Sequence, residues 1–205
     1  MNLRFAKVVS YIFHPSIIPT LLFLLVLFGY PSLVPITTEG RFYLLGFVFF
    51  FTFISPASIV YFLYKGEIIT SLTMEKREER LLPFTISTVF YTATAYLFFY
   101  KLSTFLLLAP IISSIALAVL LTTIITFFYK ISAHAIGISG MLGVVFSLKN
   151  NFLSYNFLPL LICIILASGF LISARLALNA HSPQQTFWGF LVGFIVCYFY
   201  MMLMV

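Results

Sequence analysis

The chain has 205 residues, 62% of them hydrophobic and only 8% charged, with 11 Lys+Arg against 5 Asp+Glu and a formal net charge of +6. A water-soluble domain of this length cannot hide so much apolar surface, which excludes that class. The apolar runs are continuous and about 20 residues long rather than alternating ten-residue segments, which points away from a β-barrel to an all-α, polytopic membrane helical bundle of six to seven spans.

In chain order, a first span is expected from about Val8 to Tyr30. Arg4 and Lys7 precede it, as on a retained anchor rather than a cleaved signal. His14-Pro15 and Pro19 interrupt its first half and predict a kink. Pro31 to Arg41 reads as an interfacial loop. The second span, about Phe42 to Tyr64, is rich in phenylalanine and carries Pro56 as a further kink. Lys65 to Leu82 is the most polar segment and includes Lys76, Arg77 and Arg80. A third span follows from about Pro83 to Tyr100, with proline suited to the first helical turn. A tight turn at Lys101 to Thr104 leads to the fourth span, about Phe105 to Tyr129. The stretch Lys130 to Gly140 is polar and glycine-bearing and opens a shorter fifth span to about Leu148. The sixth span is about Leu153 to Leu178, and the seventh runs from about Thr186 to the C-terminus. With no internal repeat or linker, residues 1–205 read as a single membrane domain. Cys163 and Cys197 both lie in apolar runs and read as small buried hydrophobes. Gly137, Gly140 and Gly143 suggest close helix packing. Trp188 and the many Tyr and Phe read as lipid-facing or interfacial. His14 has no partner that the sequence names and reads as structural.

Crossings can be counted. Two spans separate Lys76–Arg80 from Lys130–His134, and two more separate that stretch from Arg175–His181. An even number of crossings returns the chain to the same face, so the polar clusters converge. The converging groups are Lys76, Arg77, Arg80, Lys130, Ser132, His134, Arg175, His181 and Gln185. This set is rich in cations, imidazole and hydroxyl and poor in carboxylates, which suits phosphate. The helix opened by Ser132 and Ala133 adds amide donors and a favourable dipole. Two histidines allow one to attack phosphorus and the other to protonate the leaving oxygen. No acidic cluster could hold a metal, so neither a metal nor another cofactor is expected.

These residues resemble the motifs of the type 2 phosphatidic acid phosphatase (lipid phosphate phosphatase) superfamily. Ser132-Ala133-His134 is similar to its P-S-G-H motif. Arg175, five residues, His181, three residues and Gln185 is similar to its S-R-x5-H-x3-D motif. Its K-x6-R-P motif is met only loosely, by Lys76, Arg80 and Pro83, with Leu82 where arginine would precede the proline. The resemblance covers about residues 76–205. It implies that His181 is the nucleophile and His134 the general acid. It also implies that Arg175, Ser132 and the Ala133 amide hold the phosphate, helped by Lys76 and Arg80, with Lys130 close by. Ile131 and Ala133 replace proline and glycine, and Ala174 replaces serine beside Ser173. Gln185 replaces the aspartate that would fix the tautomer and stabilise the imidazolium. Glutamine accepts the same hydrogen bond but brings no charge, a loss of roughly 10⁴ in rate by analogy with a triad whose aspartate is made neutral.

The expected protein is a metal-independent, integral membrane hydrolase of lipid phosphates or prenyl diphosphates, working through a phosphohistidine in a bacterial cytoplasmic membrane. The alternative keeps the pocket without turnover and binds or translocates lipid phosphate. Expected partners are that substrate and the membrane lipids, with no nucleic acid. The positive-inside rule puts the site face in the cytoplasm. Without the four site cations the comparison becomes Arg4, Lys7, Lys65 and Arg77 against Arg41, Lys101 and Lys149, which no longer discriminates.

Overall fold

Prolines and glycines decide where these apolar runs coil, where they break and how closely they pack. The computed structural model describes residues 1–72, 74, 76–102 and 106–205, among which there is no strand. The helices are α1 Leu3–Ile12, α2 Ile18–Leu24, α3 Thr38–Phe49, α4 Ser55–Lys65, α5 Leu81–Tyr100, α6 Leu108–Thr126, α7 Ala133–Asn151, α8 Leu158–Ala177 and α9 Pro183–Met204. A π-helical turn, Phe50–Ile54, joins α3 and α4 into one helix. Part of the expected Lys101–Thr104 turn, namely Ser103 and Thr104, lies outside the described residues.

Among the described residues, five helices are long and apolar enough to cross a membrane: Thr38–Lys65, Glu78–Tyr100, Leu108–Thr126, Leu158–Ala177 and Pro183–Met204. They are compatible with an integral membrane protein. The expected six to seven spans shrink to five for two reasons. The first expected span is not continuous. Pro15 and Pro19 lack the amide that a helix interior needs, so α1 stops at Ile12 and α2 starts anew at Ile18. What remains, Ile18–Gly29, is a shorter apolar helix. The expected fifth span, α7, starts with His134 and ends in Lys149-Asn150-Asn151, and it does not join the five.

The chain packs as two compact units, Met1–Ile18 with Lys130–Val205, and Pro19–Tyr129. In the first unit α7 is the core helix. Nearly all of its side chains from Ala135 to Leu148 are buried, as expected of a helix apolar on every side. It packs along α9 and against α8, while α1 packs on α8. The α7–α9 pair runs parallel, from Ser132 beside Gly189 at one end to Asn150 donating to the Tyr198 hydroxyl at 3.2 Å at the other. Small residues make this seam. A Cβ at Gly143 would lie 2.7 Å from the Phe194 carbonyl oxygen, and one at Gly189 would lie 2.8 Å from the Ser132 carbonyl oxygen. One at Gly193 would overlap the Ile136 carbonyl and the Ser139 hydroxyl. Between apolar surroundings, where helices gain little from the hydrophobic effect, such backbone approach supplies the packing energy. Gly140 and Gly143 therefore pack as expected, on α9, whereas Gly137 faces Pro15 and Ile18. Cys197 is buried in the seam, but Cys163 is exposed. It lies off the buried stripe of α8 formed by Leu161, Ile164, Ser168, Leu171 and Ala174.

In the second unit α5 packs on α6, and the Thr88 and Thr123 hydroxyls share a hydrogen bond of 2.9 Å. Pro56 has no amide proton for the carbonyl of Thr52, four residues back. The Tyr91 hydroxyl of α5 donates to that buried carbonyl at 3.2 Å. Where a kink was expected at Pro56, the helix Thr38–Lys65 shows a local adaptation. It takes the form of a π-helical turn just before the proline and a side-chain donor from the neighbouring helix.

Two outcomes check this packing. Gly143→Ala or Gly193→Ala is expected to destabilise the fold by about 1–3 kcal/mol through overpacking, whereas Gly169→Ala, which meets nothing within 4 Å, is expected to be neutral or to stabilise by up to about 1 kcal/mol in reversible detergent unfolding. Tyr91→Phe is expected to cost about 1–3 kcal/mol by leaving the Thr52 carbonyl unpaired, and Pro56→Ala, which restores an amide donor, should shrink that cost in a double-mutant cycle.

Candidate functional site

The site forms where α8 stops and where α7 and α9 start, within the unit Met1–Ile18 plus Lys130–Val205. Arg175 lies in the last turn of α8, a position that favours a cation. The helix then closes on itself. Asn179 takes a left-handed backbone with φ 50°, its amide donates to the Leu176 carbonyl at 3.0 Å, and the Ala180 amide reaches back to the Arg175 carbonyl at 3.1 Å. This paired closure is a Schellman motif, and asparagine is among the few residues besides glycine that enter the left-handed region readily. A straight helix from Arg175 to His181 is therefore not what forms. The chain reverses at Asn179 and delivers His181 to the start of α9.

Ser182 caps α9 and Pro183 fills its first position. The Ser182 hydroxyl accepts the Gln185 amide at 3.3 Å, and Gln185 Oε1 accepts the Ser182 amide at 3.2 Å. This is a capping box. Gln185 Oε1 also lies 3.0 Å from His181 Nδ1. The backbone donor identifies the facing end of Gln185 as its carbonyl. The contact then requires the proton on His181 Nδ1, and the neutral ring keeps its lone pair on Nε2. His181 is buried, with 7% of its surface exposed. A nucleophilic imidazole needs this tautomer and a fixed ring.

The start of α7 sits beside this turn. The Ser132 amide donates to the Gln185 backbone carbonyl at 3.3 Å, which ties the two motif regions together. Ser132 is fully buried, and its hydroxyl accepts the Ala135 amide at 3.4 Å. Ser132 is therefore the N-cap of α7. Ala133 opens the first turn and His134 follows. His134 Nε2 lies 3.2 Å from the Ser10 carbonyl oxygen, which can only accept, so Nε2 carries the proton. The His14 ring meets the His134 ring edge-to-face, with centroids 5.8 Å apart and an interplanar angle of 80°.

His14 and His134 both lie outside the five spanning helices. Burial holds both imidazoles below their ordinary range, His134 strongly so, and the Arg175 guanidinium adds to the effect on each. His14 and His181 push His134 further down, partly opposed by its hydrogen bond to Ser10. Arg175, His14, His134 and His181 thus form one electrostatic cluster.

Lys130 is half-buried and lies just ahead of Ser132. Lys76 and Arg80 belong to the other unit. Lys76 is exposed, while Arg80 is buried and donates from Nε to the Met74 carbonyl at 2.8 Å, which pins the loop before α5. Among the described residues, no three His, Cys, Asp or Glu are grouped so as to hold a metal ion. Motif reading missed two features. The capping box was visible as Ser182-x-x-Gln185 ahead of an apolar run. His14 carries no local signal, because its partners lie far downstream. Compared with known proteins, the chain matches no family model, no curated protein and no solved structure.

The His181–Gln185 geometry has a spectroscopic consequence. Ring nitrogen shifts of His181 should report the Nδ1–H tautomer, and Gln185→Ala should move the population toward Nε2–H. An unchanged tautomer in Gln185→Ala would mean that the glutamine serves only as a cap.

Proposed function

We propose that this chain is an integral membrane phosphohydrolase of a bacterial cytoplasmic membrane, acting without a metal on a lipid phosphate or a prenyl diphosphate. The observation that carries the reading is the 3.0 Å contact between His181 Nδ1 and Gln185 Oε1, set beside Arg175 and His134. Two parallel helices, α7 and α9, also begin side by side there, so two positive dipole ends and a guanidinium share one corner. Such a corner favours a phosphoryl group.

His181 Nε2 attacks phosphorus, the bond to the leaving oxygen breaks, and a phosphohistidine forms. The leaving alkoxide takes a proton from His134. An empty site keeps His134 neutral, and a bound phosphate offsets the Arg175 charge and favours its protonation. Water then attacks the phosphohistidine, with His134 as base, and His181 is restored. Gln185 aims the nucleophile but brings no charge to the imidazolium that develops, so turnover is slow. The same two features, a neutral partner for His181 and an acid that is unprotonated at rest, favour one other reading: a site that binds or passes lipid phosphate without hydrolysing it.

Phosphate release by the purified protein from a panel of lipid phosphates and diphosphates separates the two. Wild type is expected to release phosphate and to trap an acid-labile, base-stable phosphoenzyme, and His181→Ala to do neither. Gln185→Asp is expected to speed hydrolysis by between about 10-fold and 10⁴-fold, the range a restored carboxylate can supply. Equal release by wild type and His181→Ala would sink the hydrolase reading.

A further inference from the structure

Two polar groups from the N-terminal segment stand in the cluster without a task in this reaction. One is His14. The Ser16 amide donates to its Nδ1 at 3.4 Å, so the proton of the neutral ring sits on Nε2. Its ring contacts His134, and the Arg175 charge reaches it. The other is Ser10. Its carbonyl holds His134, while its hydroxyl is buried and has no hydrogen-bond partner. Buried hydroxyls are normally bonded, and a helical serine can reach the carbonyl four residues back, as Thr52 and Ser168 do. Ser10 leaves that bond unmade.

One phosphoryl group needs a cation, a nucleophile and an acid, which Arg175, His181 and His134 supply. A diphosphate ester brings a second phosphoryl group and more negative charge. An imidazole suits it, being neutral while the site is empty and cationic once an anion arrives, so no permanent charge is stored beside Arg175. Two rings in contact can also address neighbouring phosphoryl groups rather than opposite sides of one. Resting on the phosphate site read above, we propose that His14 and the Ser10 hydroxyl form a binding arm for the second phosphoryl group, so that the site selects diphosphate esters over monophosphates.

The test uses the full chain in detergent, titrated with inorganic phosphate and with inorganic pyrophosphate in chelator-treated buffer. Wild type is expected to bind pyrophosphate at least about 10-fold more tightly than phosphate. His14→Gln keeps an N–H donor but cannot take up a proton; it should weaken pyrophosphate binding by about 10-fold and leave phosphate binding within about threefold. Ser10→Ala should shift the ratio in the same direction by a smaller factor. Equal affinities for the two anions in wild type, or a His14→Gln loss shared by both, overturns the role of His14 while the phosphate site stands. Binding of neither anion to wild type overturns both. Should His14→Gln fail to fold, judged by thermal unfolding, the wild-type ratio and Ser10→Ala decide.

Discussion

The closeness of α7 to α9 is the constraint on which the rest depends. Gly189 and Gly193 let the backbone of one helix lie against the carbonyls of the other. Only at that range can the Ser132 amide bond to the Gln185 carbonyl. That bond levels the two helix starts, and levelling them puts His134 and His181 at the same end of the bundle. A single methyl group at either glycine would separate the pair, so the corner is a consequence of packing before it is a matter of the side chains that line it.

The electrostatics follow from the same corner. Arg175, two helix starts and three imidazoles gather there. For His14 and His134, burial and the guanidinium hold the imidazole below its ordinary range. The uncharged Gln185 fits this balance. It satisfies the Ser182 amide and the His181 ring together.

Much of the corner was legible because its key relations are local or follow from counting. His181 and Gln185 are four residues apart, and one helical turn brings them together. The crossing count put Ser132 and Gln185 on one face, and the Ser132 amide does meet the Gln185 carbonyl, although α7, counted there as a span, is not among the five spanning helices. Other features depend on contacts that no local pattern reveals. Pro15 and Pro19 looked like kinks in one span, yet together they end one helix and begin another, because each removes an amide from a different turn. Ser132 was read for its motif, and its hydroxyl also caps α7. Cys163 looked buried by composition, but an apolar helix has an outer face as well. His14 was silent because its meaning comes from a ring 120 positions later in the chain, the difference between 134 and 14.

The bond from His134 to the Ser10 carbonyl spans 124 residues. A growing chain makes α1 early and must carry it, unmatched, until α7 and α8 emerge. The α5–α6 pair has its threonine bridge available well before then. Long-separation contacts of this sort close late, since chain must be gathered before they repay it. A chain that stalls after α6 thus holds none of Arg175, His134 and His181, and the corner they form cannot exist half-built.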